Sequence, residues 1–375
     1  MAAYLSLDEH AKATGLLQVL RPDGTSDEDS LPSGLDKDLA LKMYRGMLQV
    51  RIMDERLMAL QRQGRIGFYG EARGQEAAVV GSAAALRDGD WIVPALREAG
   101  VGIFRGMSLR QYIAQILGNA SDNSKGRQMP CHPCDPTVNY VVMSSCVSTQ
   151  IPHAVGIAMA MRLKGDIGKV AIGYMGDGGT SEGDFHAAAN FAGVFKPPVV
   201  LFCQNNQWAI STPGTRQTAS QTVAIKGLAY GLESLRVDGN DVLAVFEATR
   251  YACEKARRGD GPTFIEALTY RVSAHSSSDD PSRYRDETVT LDWRTNKDPL
   301  VRFRKWLSGK GWLGDAEDAR LAEELEAEVR EATAAEEKAP LPDVGTMVDD
   351  VYEVVPRHLR EQLNQYLDDR RHQHG

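Results

Sequence analysis

The sequence predicts an α/β protein with a doubly wound, mainly parallel sheet. Apolar runs typical of buried strands alternate with longer segments at helical spacing along most of the 375 residues. The clearest unit runs from Lys169 to Gln204, as strand, glycine-rich turn, helix and strand. Such a crossover is almost always right-handed and makes its two strands parallel. The length suits one large α/β domain or two smaller ones.

The elements follow from local patterns, in chain order. Residues 1–36 are polar and predict an arm extended over another surface. Amphipathic spacing predicts helices at 38–63 and 241–258, and small residues that allow close packing predict helices at 70–86 and 154–164. A further helix is expected to start within 96–100. The remaining predicted helices are 108–117, 316–338 and 356–367, and Pro356 suits the first turn of the last one. Strands are predicted at 90–93, 141–145, 169–175, 199–204 and 262–270, with a strand and turn at 235–241.

These elements divide into an N-terminal arm (1–36), one main domain (37–345) and a C-terminal helical tail (346–375). We detect no internal repeat.

Composition argues against several functional classes. The net charge is −8 and no basic stripe is present, which argues against a nucleic-acid partner. No apolar run approaches the length of a membrane span, and the first residues resemble neither a signal peptide nor a transit peptide. Five cysteines in this length suit a reducing compartment. We therefore predict a cytoplasmic protein that binds neither nucleic acid nor membrane.

A glycine-rich turn follows the first strand of the clearest unit. Gly176-Asp177-Gly178-Gly179 lets the backbone turn tightly and approach a ligand, and Thr180 or Ser181 is expected to cap the next helix. Asp177 and Asn206 then both lie just beyond the carboxyl ends of parallel strands. That edge is where open α/β sheets bind their ligands.

The residues at this edge suit a hard divalent cation. Such an ion takes oxygen ligands, and it keeps few protein ligands when it also holds phosphates. The Asp177 carboxylate, the Asn206 amide oxygen and the Trp208 carbonyl form a suitable set. The turn is not a dinucleotide fingerprint, because Ser181 occupies the place of the third glycine, and it lacks the Gly-Lys-Ser/Thr of a P-loop. A glycine turn alone is common after strands; the asparagine pair after the next strand makes the pattern specific.

A second motif, Cys131-His132-Pro133-Cys134, has several interpretations. C-x-x-C occurs in redox pairs and in halves of zinc sites. No second half follows to complete four ligands, and no thioredoxin-like pattern surrounds it. The favoured interpretation is a loop near the entrance of the active site.

Several motifs together resemble one family. Besides the glycine turn and the asparagine pair, these are GRQMP (126–130), QIPHAVG (150–156), VDGND (237–241) and RVSAHSSSDDPSRYR (271–285). They resemble the alpha subunit of the thiamin-dependent 2-oxoacid dehydrogenases, most closely the branched-chain type, from about residue 36 to 365. The loop length between His275 and Tyr284 favours that type, whereas VRFR (301–304) and Gln204 also occur in pyruvate-type chains. Pyruvate and acetoin dehydrogenases, and a non-catalytic scaffold chain, remain alternatives.

The resemblance implies a thiamin diphosphate-binding fold and an oxidative decarboxylation. The expected cofactor is thiamin diphosphate with Mg²⁺, in some members with K⁺. The cofactor carries out the chemistry, and the protein binds and orients it. The resemblance also implies a beta chain, in an assembly of two alpha and two beta chains, and a lipoyl-bearing acyltransferase that receives the acyl unit. The beta chain supplies the carboxylate that activates the cofactor.

Site residues follow from the same resemblance. His275 is the expected catalytic residue. Cofactor contacts are expected from Arg97, Ser145, Val147, Gly176, Asp177, Gly178, Gly179, Gln204, Asn206, Trp208 and His275, with Asp177, Asn206 and Trp208 holding the metal. Phe68 and Tyr69 are expected near the substrate, Ser144, Thr149 and Gln150 are candidate K⁺ ligands, and Ser276 is a candidate phosphorylation site. The loop 276–285 is expected to become ordered with cofactor, anchored by Arg271, Tyr284 and Arg285.

Two positions depart from the family pattern. Members of the family commonly have tyrosine at position 96 and, in the branched-chain type from animals, glutamine at position 95; this chain has Leu96 and Ala95. Each change removes a hydrogen bond to a phosphate, so the cofactor is expected to bind more weakly here than in such relatives.

Overall fold

A parallel five-stranded sheet forms the centre of the protein, in a computed structural model that describes residues 2–374. The strands are β1 (Trp91–Val93), β2 (Ala171–Gly176), β3 (Val199–Asn205), β4 (Trp208–Ala209), β5 (Thr212–Pro213), β6 (Glu233–Asp238) and β7 (Thr263–Leu268). The sheet order is β1-β2-β3-β7-β6 with every pair parallel, and β4 and β5 form a small antiparallel pair. The predicted α/β class with a mainly parallel sheet is confirmed.

Helices surround this sheet and continue beyond it. They are α1 (Ala2–Leu5), α2 (Glu9–Thr14), α3 (Lys37–Arg62), α4 (Glu76–Ala84), α5 (Ala99–Phe104), α6 (Leu109–Leu117), α7 (Gln150–Lys164), α8 (Gly183–Phe195), α9 (Ile225–Leu228), α10 (Val242–Arg257), α11 (Glu287–Asn296), α12 (Pro299–Gly309), α13 (Asp315–Glu336), α14 (Thr346–Asp349) and α15 (Arg357–His374). Short 3₁₀ turns lie at Glu28–Ser30, Pro136–Val138, Asp177–Ser181, Gly214–Arg216 and Pro281–Arg283. Among residues 2–374, no helix combines the length and apolar character that crossing a membrane requires.

The sheet is covered on both faces, which makes the fold doubly wound. Successive side chains of β2 point to opposite faces, so Ile172 and Tyr174 join one core cluster with α4 and α10. Ala171 and Met175 join a second cluster with α7 and α8. Gly173 allows α7 to pack closely, because a Cβ there would lie 2.7 Å from the Cβ of Ala154.

The N-terminal arm packs against the edge of the sheet. Leu17 pairs with the edge strand β6, donating to the Arg236 carbonyl and accepting from Asp238 N–H, both at 2.9 Å. The buried Asp241 carboxylate accepts from Val19 and Leu20 N–H at 2.6 Å. The arm thus covers a sheet edge that would otherwise expose unpaired backbone groups.

Other elements differ from their predicted extents, and the causes are local. Residues 141–145 are not a strand; only Val141 N–H bonds to Ile92 O beside β1. The helix predicted from residue 70 begins at Glu76, because Gly74 has φ +89° and lies against the Tyr270 carbonyl. Neither Thr180 nor Ser181 caps a helix, because both lie in a 3₁₀ turn and α8 begins only at Gly183; the Thr180 hydroxyl donates to Asp177 O at 2.7 Å.

Candidate active site

A cavity of about 440 Å³ opens at the carboxyl ends of β2 and β3. The parallel register pairs Gly176 with Gln204, so the turns that follow the two strands meet at one edge. Fourteen of the predicted site residues line this cavity: Phe68, Arg97, Ser144, Ser145, Val147, Gln150, Gly176, Asp177, Gly178, Gly179, Gln204, Asn206, Trp208 and His275. Residues far apart in sequence are thus brought to one place.

Three predicted residues lie outside the cavity lining. Tyr69 is fully buried, and its hydroxyl donates to Asp54 at 2.6 Å. Thr149 Oγ1 donates to Asp184 at 3.3 Å. Ser276 is only 6% exposed in the loop that follows His275. Tyr69 therefore supports the fold behind the cavity wall, where burial raises the pKa of the Asp54 carboxyl to about 8.

The glycine turn holds Asp177 at the floor of the cavity. Gly178 is required there, because a Cβ would lie 2.6 Å from the Cβ of Ala209. Asp177 is 4% exposed, and Gln217 Nε2 donates to its Oδ2 at 2.8 Å. Burial raises the pKa of the Asp177 carboxyl to about 6, and the bond from Gln217 only partly offsets this. A buried carboxylate whose charge is disfavoured is a suitable ligand for a cation.

Two more residues that could ligate a metal through oxygen, Asn206 and Trp208, line the same cavity as Asp177. Asn206 Nδ2 donates to Gln75 Oε1 at 3.1 Å, and Asn206 Oδ1 accepts from Trp208 N–H at 3.2 Å. The left-handed Gln207 (φ +70°) turns the chain between them. Within the described residues, no group of three or more His, Cys, Asp or Glu side chains could hold a metal. The donors here are a carboxylate, an amide and a backbone carbonyl, which fit Mg²⁺ rather than a softer ion.

Arg97 and His275 line the same cavity and contact each other. The buried guanidinium of Arg97 donates to the carbonyls of Glu71 and, at 2.7 Å, His275, and its Nη2 lies 3.4 Å from His275 Nδ1. Burial first, then the charges of Arg97 and Arg271, lower the pKa of His275 to about 4. The imidazole is therefore neutral near pH 7, with one nitrogen as donor and one as acceptor.

Sequence reasoning missed Glu98 and Gln75, which also line the cavity. Glu98 is 3% exposed, and it accepts from Gln204 Nε2 and from the Arg97 backbone N–H at 3.0 Å. Burial raises the pKa of its carboxyl to about 7. The only sequence signal was the adjacency of Glu98 to Arg97, since the contact with Gln204 spans 106 positions.

Polar contacts join the loop after His275 to Arg271, which follows β7, and through Arg271 to Ile210. The fully buried Arg271 donates through Nη2 to Ile210 O and to the Tyr284 hydroxyl, both at 2.7 Å. That hydroxyl donates to Asp279 at 2.5 Å, and Asp279 also accepts from His275 N–H at 2.7 Å. Arg285 donates to the carbonyls of Arg271 and Val272. Arg271, Tyr284 and Arg285 therefore anchor the loop.

Tyr284→Phe is expected to loosen this loop without unfolding the protein. The substitution removes the hydroxyl that links Arg271 to Asp279, a loss of about 1 kcal/mol of local stability. Cleavage by protease within 273–285 should become about fivefold faster, while the melting temperature stays close to that of the wild type. Tyr352→Phe, at a tyrosine that is 49% exposed, is the matched control. Equal cleavage rates in the two variants would contradict the anchoring role.

Comparison with known proteins gives a consistent result. The family model described as "Dehydrogenase E1 component" matches residues 44–345. The chain is 45% identical to 2-oxoisovalerate dehydrogenase subunit alpha 2, mitochondrial, of Arabidopsis thaliana, over 92% of this chain and 73% of that protein. It is 41% identical to the corresponding alpha subunits of Caenorhabditis elegans (94% and 82% covered) and Homo sapiens (92% and 76% covered). These names favour the branched-chain type over the pyruvate, acetoin and scaffold alternatives.

One expectation from composition is wrong by this comparison. We predicted a cytoplasmic protein, but these relatives are named as mitochondrial. The prediction depended on the composition of the first residues and on five cysteines, all free in the structure; a low cysteine content does not distinguish one reducing compartment from another. The family resemblance inferred from the motifs, by contrast, is confirmed. The chain belongs to the dehydrogenase E1 component family.

Proposed function

We propose that this protein is the alpha chain of a branched-chain 2-oxoacid dehydrogenase. It would catalyse thiamin-dependent oxidative decarboxylation, with 3-methyl-2-oxobutanoate as substrate, and pass the acyl unit to a lipoyl group of a partner acyltransferase. The observation that carries the proposal is the meeting of Asp177, Asn206 and the glycine turn with Arg97 and His275 around one cavity, in a chain of this family.

The cavity residues fit thiamin diphosphate and Mg²⁺. Asp177, Asn206 and the Trp208 carbonyl would hold the metal, and the backbone of Gly178 and Gly179 would face the diphosphate. When bound, the cofactor supplies the carbon nucleophile and the electron sink for decarboxylation.

Arg97 and His275 would also bind the diphosphate. A guanidinium matches two phosphate oxygens with parallel hydrogen bonds, so Arg97 would fix the orientation of the cofactor. The neutral His275 can donate one hydrogen bond to a phosphate oxygen or exchange a proton with the acyl acceptor. Its anchored loop would also exclude water from the reacting centre.

The cavity mouth supports the proposal of a partner chain. Val147 and Ile210 line the cavity and are 59% and 53% exposed, so a second chain could cover them. Ser145 and the Val147 backbone would contact the aminopyrimidine from this side. The beta chain would supply the activating carboxylate from the other side, in an assembly of two alpha and two beta chains.

Further roles are proposed for a substrate contact, a K⁺ site and Ser276. Phe68 lines the cavity and would contact the substrate. For K⁺, the support is the buried Gln150 Oε1, which has no hydrogen-bond partner among the described residues, near Ser144 and Thr149. A phosphate on Ser276 would add a charge of about −2 beside a diphosphate and would inhibit by repulsion. Because Ser276 is buried, its modification would require the loop to open.

The substrate assignment is tested with the assembled enzyme. The alpha chain is co-expressed with its beta chain, and the complex is supplied with 3-methyl-2-oxobutanoate, pyruvate or acetoin and an artificial electron acceptor. We expect the branched oxoacid to be turned over with the highest kcat/KM. A higher value for pyruvate or acetoin would move the assignment to that substrate, and no turnover of any of them would favour the scaffold alternative.

Leu96→Tyr is expected to tighten cofactor binding. Leu96 lines the cavity next to Arg97, and a tyrosine hydroxyl there could donate to the diphosphate. A hydrogen bond to a charged group contributes about 1.5–3 kcal/mol, so the affinity for thiamin diphosphate should rise about tenfold or more. Leu96→Phe, which adds the ring without the hydroxyl, is the matched control. Equal affinities of the two variants would mean that another group already fills this role.

A further inference from the structure

The Cys131-His132-Pro133-Cys134 motif is folded to direct a histidine, not a pair of cysteines, toward the cavity. His132 lines the cavity, although it is only 4% exposed. The two cysteines are not bonded to each other, and burial raises the pKa of the Cys131 thiol to about 12. A thiol of that kind is neither a good nucleophile nor a ready metal ligand at neutral pH. The chemistry of the motif therefore lies in the imidazole.

The turn that carries His132 is held tightly. The buried Gln115 on α6 accepts from His132 N–H at 3.1 Å through Oε1 and donates to Met129 O at 2.7 Å through Nε2. Cys131, between Met129 and His132, has a left-handed backbone (φ +67°), which is unfavourable for a residue with a side chain. A strained turn clamped at both ends orients the ring of His132 and suggests a functional constraint.

The hydrogen bonds of the ring determine its tautomer. His132 Nδ1 lies 3.1 Å from Pro130 O, and a carbonyl oxygen can only accept, so the proton is on Nδ1. An imidazole that carries its proton on Nδ1 has Nε2 as an acceptor. Ser145 Oγ lies 2.6 Å from Nε2 and must donate to it. The hydroxyl proton of Ser145 is therefore used in the hydrogen bond to His132.

We propose that His132 is a positioning residue that makes the Ser145 hydroxyl a hydrogen-bond acceptor for an N–H group of the bound cofactor. Ser145 lines the cavity, and with its proton directed at His132 its lone pairs are free for a donor inside. The exocyclic amino group of an aminopyrimidine is a donor of this kind. The inference rests on the proposed function, and it assigns to the His132–Ser145 pair the recognition of that amino group.

The test measures cofactor affinity in the alpha–beta complex by calorimetric titration of thiamin diphosphate with Mg²⁺. His132→Phe keeps a planar ring but removes the acceptor, so the dissociation constant should rise about tenfold, as for one hydrogen bond. His132→Gln retains an amide oxygen that can accept from Ser145, and its affinity should stay within about twofold of the wild type. In a Ser145→Ala background, His132→Phe should have no further effect.

A cofactor analogue distinguishes an effect of His132 on the Ser145 hydroxyl from a general contribution of His132 to the fold. Thiamin diphosphate without the exocyclic amino group offers no donor, so the wild type and His132→Phe should bind this analogue equally. If His132→Phe does not fold, His132→Asn replaces it, because the shorter amide does not reach Ser145.

The outcomes separate this inference from the proposed function. Equal weakening by His132→Phe and His132→Gln, or a His132→Phe effect that persists without Ser145 or without the amino group, would overturn the positioning role. A wild-type complex that binds no thiamin diphosphate would overturn the proposed function itself.

Discussion

Asp177→Asn is expected to abolish binding of Mg²⁺ and thiamin diphosphate while it stabilises the cofactor-free chain. The carboxylate is the only charged member of the proposed ligand set, and its loss should weaken cofactor binding by at least about a thousandfold, beyond the 10–100-fold of an outer-shell change. In the free chain, the same carboxylate is buried and its ionised form is disfavoured. The neutral amide avoids that penalty and can still accept from Gln217.

The pH dependence of stability checks the second half of this prediction. The pKa of Asp177 in the folded chain, about 6, lies above its ordinary value of 3.8. A raised pKa contributes stability that is fully present below the unfolded value and is lost as the pH rises through about 6. At pH 7.5 the Asp177→Asn chain should therefore be more stable than the wild type by about 1–3 kcal/mol, and the difference should vanish near pH 4.

The measurement is thermal unfolding of both chains with and without cofactor. Glu326→Gln is the matched control, because Glu326 is an exposed acidic residue on α13 that does not line the cavity. Wild type and this control should gain stability from thiamin diphosphate with Mg²⁺, and Asp177→Asn should gain none. Retained stabilisation of Asp177→Asn by the cofactor would contradict the assignment of the metal ligand.

Arg97→Met is expected to weaken cofactor binding by at least about a hundredfold, because charge-assisted bonds to a diphosphate are lost. The guanidinium also holds the carbonyls of Glu71 and His275, so the loop after His275 should become more sensitive to protease. Arg97→Lys keeps the charge but lacks the planar fork, and it should fall between the wild type and Arg97→Met.

Calorimetric titration of the alpha–beta complex and limited proteolysis measure the two effects of Arg97 separately. Arg73→Met removes an arginine that is paired at the surface with Glu55, and it serves as the control. If Arg97→Met bound the cofactor as tightly as this control, Arg97 would only support the loop.

The part of the site predictable from sequence is the part built by local patterns. Asp177 and Asn206 each follow an apolar strand of one crossover unit, and parallel neighbouring strands end at the same edge. Their meeting followed from those two facts alone. The family motifs then placed Arg97 and His275 in the same cavity, where the structure also has them.

The remaining contacts join positions that no periodicity connects. Gln75 reaches Asn206 across 131 positions, and Gln204 reaches Glu98 across 106. Such pairs depend on how helices and loops pack onto the sheet, which a single sequence does not specify. The same reason explains Tyr69, whose aromatic ring suited a substrate pocket but is buried against Asp54.

Short irregular segments show a second limit of sequence reasoning. Residues 141–145 have the apolar, β-branched composition of a strand, but only one backbone bond joins them to the sheet edge. The Thr180 hydroxyl could cap a helix by accepting from a backbone N–H or close a turn by donating to a carbonyl; it donates to Asp177 O, and α8 begins only at Gly183.

Calorimetric titration of thiamin diphosphate into the wild-type alpha–beta complex, with Mg²⁺ and then with a chelator, tests the central claim most directly. We expect saturable binding of one cofactor for each alpha chain, and loss of that binding when Mg²⁺ is removed. Absence of binding in the presence of Mg²⁺, or binding that is indifferent to the chelator, would contradict the assignment of this cavity to a metal-held diphosphate cofactor.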